Sequence, residues 1–306
     1  NPTYIVDAGA SRYVLRRKPS GTLLPSAHAI EREHRAMQAL AGTEVPVPRV
    51  RLLCEDPEVL GSAFYVMDFV EGRILGDQTL PGLTPEQRRA HYTELNRVLA
   101  RLHAVDHRAC GLGDFGREGA YVQRQLERWT RQYRASETTP IPAMENLMAW
   151  LGERVPPQDA TTLVHGDYRL DNVVWHPTEP RIVAVLDWEL STLGHPLADF
   201  SYHCMSWHIP AALGRGIAGQ DLAALGIPDE DSYIRSYCER TGIATPEALR
   251  ADWNFYMAYN MFRIAAILQG IAKRVEAGTA SSAQAKASGE TARPMAQLAW
   301  SFAQRG

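Results

Sequence analysis

The sequence predicts an α+β fold in two lobes, a small β-rich N-terminal lobe and a larger helical C-terminal lobe. Three observations predict it. Strand-like runs concentrate before residue 70, helical stripes dominate after residue 71, and a short pair of strands interrupts the helices near residues 172–186. The expected division is 1–70 and 71–306, with Asp68-Phe69-Val70-Glu71-Gly72 as the junction. Clefts between such lobes are common ligand sites.

Tyr13-Val14-Leu15-Arg16 reads as the first strand. Residues 27–40 read as a helix, with Ile30, His34, Met37 and Leu40 along one face. Val50-Arg51-Leu52-Leu53 and Ala63-Phe64-Tyr65-Val66-Met67 read as two further strands, separated from the helix by Pro46 and Pro48. Thr84-Pro85-Glu86-Gln87 is a helix start, with Thr84 as N-cap, Pro85 at the first position and Gln87 three residues on. Leu95, Val98, Leu99 and Leu102 continue it as an apolar stripe. Further helices are expected at 119–135, 143–154, 229–241, 246–276 and 283–303. Residues 172–175 and 182–186 read as strands of a hairpin. No internal repeat is visible, and residues 278–289, rich in Ala and Ser, read as a surface loop or helix start.

The 306 residues carry 22% charged side chains and a net charge of −3, so no global field favours nucleic acid or an anionic membrane. No apolar run approaches the roughly 18 residues needed to span a bilayer. Cys54, Cys110, Cys204 and Cys238 are widely spaced without a C-x-x-C, which points to free thiols and a cytoplasmic location. The chain opens Asn1-Pro2-Thr3-Tyr4, without Met or a signal-like segment, and its true start is expected upstream.

The densest chemistry lies in LVHGDYRLDNVVWH, residues 163–176. Charged and amide side chains among aliphatic residues are costly unless paired or used. Val183-Ala184-Val185-Leu186-Asp187-Trp188-Glu189 follows, a hydrophobic strand ending in an acid. A hairpin between the two segments brings Asn172 and Asp187 together, one amide oxygen and one carboxylate. Mg²⁺ takes few protein ligands and fills its remaining positions with water and phosphate. Asp167 is then left to accept a proton from a hydroxyl, and Arg169 to neutralise a transferring phosphoryl group.

His165-Gly166-Asp167-x-x-x-x-Asn172 followed by Asp187-Trp188-Glu189 resembles the kinase-like aminoglycoside phosphotransferase and choline kinase superfamily. The resemblance implies a protein-kinase-like fold, ATP and Mg²⁺ as cofactors, Asp167 as catalytic base, and Asn172 and Asp187 as metal ligands. It also implies a strand cation on the α/β-phosphates paired with a helix Glu. Arg16 takes the first position and Glu33 the second, with Arg17 and Glu31 as rivals. The usual cation is Lys; the planar fork of Arg still suits phosphate. Strand alternation puts Val14 on the face of Arg16, where it would touch adenine. The strand ending at Met67 and the residues Asp68 to Val70 correspond to the hinge that binds adenine through its backbone. No G-x-G-x-x-G is present, so the phosphate-covering loop is expected upstream, with Asn1 to Tyr4 as its tail.

Tyr13 to Pro19, Val45-Pro46-Val47-Pro48, Phe64 to Met67, Gly111-Leu112-Gly113-Asp114-Phe115-Gly116 and Leu186 to Gly194 are similar to the kinase-like domain found upstream of certain acyl-CoA dehydrogenases and to its bacterial stand-alone relatives. That subgroup implies phosphorylation of the 4-hydroxyl of hydroxyacyl-CoA thioesters, a small-molecule acceptor with no nucleic-acid or membrane partner.

Several residues carry structural readings beside functional ones. Asp167 could form an Asx turn, His165 brace the loop, Asp199 cap a helix, and Glu189 be a solvated acid. Arg124, Arg128 and Arg131 share a helix face that suits either an anionic substrate or solvent. Asn260 and Arg263 belong to a core-like helix that could also wall a substrate site. From residue 190 onward ten Asp/Glu balance ten Lys/Arg, which disfavours a polycationic antibiotic acceptor. The competing classes are an aminoglycoside phosphotransferase, a nucleotide-binding pseudokinase and a metal-dependent hydrolase.

Overall fold

The computed structural model describes residues 1–19, 29–157, 160–213, 216–280 and 282–306. Its elements begin β1 (Thr3–Ala8), β2 (Ser11–Arg17), α1 (Ile30–Leu40), β3 (Val50–Cys54), α2 (Pro57–Leu60), β4 (Phe64–Asp68) and α3 (Pro85–His103). Next come α4 (Tyr121–Ser136), α5 (Pro142–Glu153), β5 (Thr162–Val164), β6 (Val173–Trp175), β7 (Ile182–Val185), β8 (Thr192–Gly194) and α6 (Pro196–Cys204). Then follow α7 (Leu222–Leu225), α8 (Glu230–Thr241), α9 (Pro246–Ala251), α10 (Trp253–Glu276), α11 (Ala283–Glu290) and α12 (Ala292–Ala303).

The chain forms two compact units. The first comprises Asn1–Gly116, Thr162–Leu193 and Leu222–Asp229. It is built on a four-stranded antiparallel sheet of order β1-β2-β4-β3. Register puts Val14 opposite Met67 and Arg16 opposite Tyr65. Ile30, Met37 and Leu40 of α1 are buried, and the helix packs against β3, β4 and the 3₁₀ turn Trp188–Leu190. Positions 27 and 28 of the expected helix lie outside the described residues. Leu95, Val98, Leu99 and Leu102 of α3 are buried as their spacing requires. Both halves of the capping box are formed: Gln87 N–H donates to Thr84 Oγ1, and Thr84 N–H donates to Gln87 Oε1 at 2.9 Å.

The second unit comprises Arg117–Thr161, Gly194–Asp221 and Glu230–Gly306. Helix α10 is its centre and packs against α4, α5, α6, α11 and α12. Phe200, Tyr237, Tyr256, Tyr259 and Phe262 are buried in its aromatic core.

Four expectations are corrected. Residues 246–276 form two helices, because Asp252 leaves helical geometry at φ −101, ψ 5 while its carbonyl accepts the first α10 bond from Tyr256 N–H. Residues 283–303 also split, at Thr291, whose side chain donates back to the Ser288 carbonyl at 2.7 Å. Asn172 closes a 3₁₀ turn rather than opening β6, which starts at Val173. Thr3 and Tyr4 belong to β1 rather than to a loop: Thr3 pairs with Arg16 and Tyr4 with Leu15, and the tight turn at Gly9-Ala10 returns the chain.

Among the described residues no helix is long and apolar enough to cross a membrane, and the four cysteines are free. Thr84→Ala removes the cap of α3, whose apolar face fills the first unit. It is expected to lower unfolding free energy by about 1 kcal/mol, read as a lower urea midpoint at unchanged slope.

Candidate active site

The sequence-selected residues Arg16, Glu33, Asp167, Arg169, Asn172 and Asp187 all lie in the first unit. The hairpin supplies the frame. Val173 pairs with Val185 and Val174 with Ala184, so Asn172 and Asp187 leave the same end of the ladder. Leu186 N–H donates to the Asn172 carbonyl at 2.8 Å and extends that register by one step.

His165, fully buried, organises the loop. It accepts from Asp167 N–H at Nδ1, 3.2 Å, so its proton sits on Nε2, which donates to the Leu186 carbonyl at 2.8 Å. One neutral imidazole thereby ties the Asp167 backbone to the residue before Asp187. Gly166 has φ +81, and a Cβ there would lie 2.8 Å from the Leu190 carbonyl oxygen. Asp187 is also left-handed, at φ 65 and ψ 55, a conformation a non-glycine side chain adopts at a cost of about 1–3 kcal/mol. Trp188 holds this bend by donating Nε1–H to the Val185 carbonyl at 2.9 Å.

Asn172 donates its amide to the Asp167 carbonyl at 2.8 Å and to Asp167 Oδ2 at 2.9 Å. Its carbonyl oxygen remains for a cation. With the Asp187 carboxylate this is the hard oxygen pair that Mg²⁺ takes beside phosphate and water, so the donor set fits that metal. Asp167 Oδ1 lies 3.1 Å from Arg169 Nε, and Arg169 also approaches Asp171 at 3.7 Å. Asp167 thus has an amide on one oxygen and a guanidinium beside the other.

Arg16 is the hub of the sheet side. Its Nη1 lies 3.2 Å from Glu33 Oε2, and its Nη2 lies 2.8 Å from Asp187 Oδ1 and 3.8 Å from Glu189 Oε2. Burial opposes the charge, yet Glu33 and Asp187 outweigh it and the pKa of Arg16 rises. Glu33 is almost wholly buried, and that burial pushes its carboxyl up to about 7 against the pull of Arg16 and of the Tyr65 hydroxyl. The rivals are engaged elsewhere: Lys18 pairs with Glu31, and Arg17 donates to the Leu60 carbonyl at 3.1 Å.

Tyr65 carries no sequence signal, and Glu189 was legible only as an acid beside Asp187 whose role stayed open. Tyr65 donates to Glu33 Oε2 at 3.1 Å, which follows only from its register opposite Arg16. Glu189 joins the Arg16 cluster only because of the turn after Asp187. At the junction, Asp68 N–H bonds the Arg49 carbonyl and Phe69 N–H bonds the Arg12 carbonyl. The Asp68 carboxylate pairs with Arg51 at 2.6 and 2.8 Å.

The remaining candidates lie in the second unit. Arg124 donates to the Gly119 and Arg117 carbonyls, and exposed Arg128 lies 5.3 Å from the Trp129 ring. Asn260 is fully buried and donates to the Ala198 carbonyl and Ser201 Oγ. The Arg263 guanidinium lies 4.7 Å from the Tyr202 ring and 5.4 Å from the Trp129 ring. Asp199 is buried within α6.

Gly166→Ala would force a Cβ against Leu190 at positive φ. It is expected to cost about 1–3 kcal/mol of stability, measured by urea unfolding against the parent chain.

The family model described as "Phosphotransferase enzyme family" (APH) matches residues 1–236. Acyl-CoA dehydrogenase family member 10 of Mus musculus is 53% identical over 305 residues, 99% of this chain. The chain spans 28% of that relative's length. A crystal structure of a Ralstonia eutropha JMP134 protein, named only provisionally as an aminoglycoside phosphotransferase, is 58% identical. It covers 100% of this chain and 90% of its own, with a TM-score of 0.91. The choline kinase of Cryptosporidium parvum Iowa II shares 11% identity over 99% of this chain and 89% of its own, with a TM-score of 0.65, a likeness of fold alone. The fold is therefore the kinase-like α+β fold, β-rich at its N-terminal end and helical beyond. With the family model matching over three quarters of its length, the chain belongs to the phosphotransferase enzyme family.

Proposed function

We propose that the protein is an ATP- and Mg²⁺-dependent kinase that moves the γ-phosphoryl group to a hydroxyl of a small molecule, an acceptor of the hydroxyacyl-CoA type. The observation that carries the reading is the coupling of Arg16 to Glu33 and Asp187, beside an Asn172 amide held on Asp167. In this reading that set joins a phosphate-binding cation, a metal carboxylate, a metal amide and a base within one unit.

In this reading residues 1–70 hold the nucleotide, and 71–306 carry the catalytic loop and the acceptor. Val14 and the Asp68–Val70 backbone contact adenine. Arg16, oriented by Glu33, contacts the α/β-phosphates. Asn172 and Asp187 hold Mg²⁺, which when bound neutralises charge on the phosphate oxygens. Asp167 accepts the proton of the attacking hydroxyl, and the Asn172 amide keeps its carboxylate aimed. Arg169 offsets charge that develops on the transferring group. Arg124, Arg128, Asn260 and Arg263 are assigned to the acceptor's anionic and polar groups.

The acyl-CoA assignment draws on the name of the mouse relative, an acyl-CoA dehydrogenase family member of which this chain matches one part. The even charge balance after residue 190 supports it too, because a polycationic acceptor calls for an acidic wall. The provisional name of the Ralstonia eutropha structure favours the second reading, an aminoglycoside O-phosphotransferase.

Incubation with Mg²⁺-ATP and either a 4-hydroxyacyl-CoA or kanamycin, followed by mass spectrometry, separates the readings. Gain of one phosphoryl group on the thioester alone is expected. Gain on kanamycin alone would establish the antibiotic reading, and nucleotide binding without any transfer a pseudokinase. Asp167→Asn is expected to lower turnover about 10³-fold while leaving the Kd for Mg²⁺-ADP within about threefold, since the base acts only in the transition state.

A further inference from the structure

The segment Gly111 to Gly116 has no part in the mechanism above, yet it is bonded to α1 and lies against β8. On one side it meets α1. Arg32 Nη2 donates to the Phe115 carbonyl at 2.6 Å, and its guanidinium carbon lies 4.1 Å from the centre of the Phe115 ring. Arg35 donates to the Gly111 carbonyl at 2.8 Å and pairs with Asp114. On the other side Gly116 lies against β8: a Cβ there would sit 2.5 Å from Thr192 Oγ1 and 2.7 Å from Leu193 N. Phe115 itself is fully buried.

Arg32 reaches one group further. The same Nη2 lies 3.3 Å from the Ser191 carbonyl, at the end of the turn that follows Asp187. Ser191 is fixed in turn, with its N–H and hydroxyl both donating to the Trp188 carbonyl at 3.0 and 2.6 Å. Arg32 therefore joins three separate stretches of chain. These are α1, which carries Glu33, the 111–116 segment, and the turn that carries Asp187 and Glu189.

We infer that Arg32 is a positioning residue for phosphoryl transfer. By joining α1 to the 111–116 segment and to Ser191, it sets the distance at which Glu33 and Asp187 meet Arg16 from opposite sides. The inference rests on the kinase reading of the site. In kinase-like enzymes the cation–Glu pair and the metal-binding Asp must be in place together, so whatever holds that helix controls the rate. Glu33 and Arg32 are consecutive on the helix, about 100° apart, so one turns to the sheet while the other meets the loop. A displacement of one ångström at such a site is worth up to about a hundredfold in rate.

Arg32→Ala, Glu33→Gln and the double variant test this with two readouts. The first is kcat for transfer and Kd for Mg²⁺-AMP-PNP by calorimetry. Arg32→Ala is expected to lower kcat about tenfold or more in the parent chain, and by less than about twofold in the Glu33→Gln background, because its effect passes through Glu33. An equal factor in both backgrounds, or an unchanged kcat, overturns the inference. The second readout is hydrogen exchange of the nucleotide-free protein. Peptides covering 30–40 and 187–191 are expected to lose protection together in Arg32→Ala, while α3 keeps its own. Unchanged protection in either peptide also overturns the inference. A parent chain that binds no Mg²⁺-AMP-PNP sinks the kinase reading and the catalytic purpose of Arg32 with it. In that case the exchange data alone still decide whether the joint exists.

Discussion

The charge of Arg16 is the constraint on which the rest of the first unit depends. A guanidinium mostly removed from water needs acids around it, because an unpaired buried charge costs several kcal/mol. Here those acids come from two distant places, Glu33 on α1 and Asp187 at the end of β7, with Glu189 close by. One cation therefore draws a helix and a hairpin toward the same strand. Replacing such clusters with apolar residues often leaves stability unchanged or higher. Their value lies in holding particular groups at particular distances, which phosphoryl transfer requires above all else.

The hairpin positions its acids through uncharged groups as well as through cations. His165 accepts from one backbone N–H and donates to one carbonyl. Asn172 serves twice, its amide nitrogen on Asp167 and its oxygen left over. Left-handed geometry at Gly166 and Asp187 turns the chain sharply on either side of the ladder. Strain of that kind persists only where the surroundings enforce it, and the Trp188 and Leu186 hydrogen bonds are the enforcement.

The candidate cluster was legible because its residues are local in sequence. Asp167, Arg169 and Asn172 lie within six positions, and Asp187 ends an unmistakable apolar strand. The capped start of α3 was legible for the same reason, since a capping box spans four residues. Missed features depend on partners far along the chain. The six residues of β1 are exposed, and only their pairing with β2 makes them a strand. The break at Asp252 interrupts an apolar spacing that runs on without a Gly or Pro beside it, whereas Gly289 and Pro294 flank the break at Thr291.

By itself the sequence determined the fold class, the main strands and helices in their order, and a short set of candidate side chains. Each of these follows from residue type and short-range periodicity. Only the tertiary structure decided that Glu33 rather than Glu31 meets Arg16, that Tyr65 stands behind Glu33, and that Arg32 reaches Ser191 across 159 positions. Such choices depend on strand register and on helix rotation. A step of one residue in register reverses the face a side chain occupies, and a step of one residue on a helix turns it by about 100°. Composition and spacing do not distinguish those steps; packing of the assembled core does.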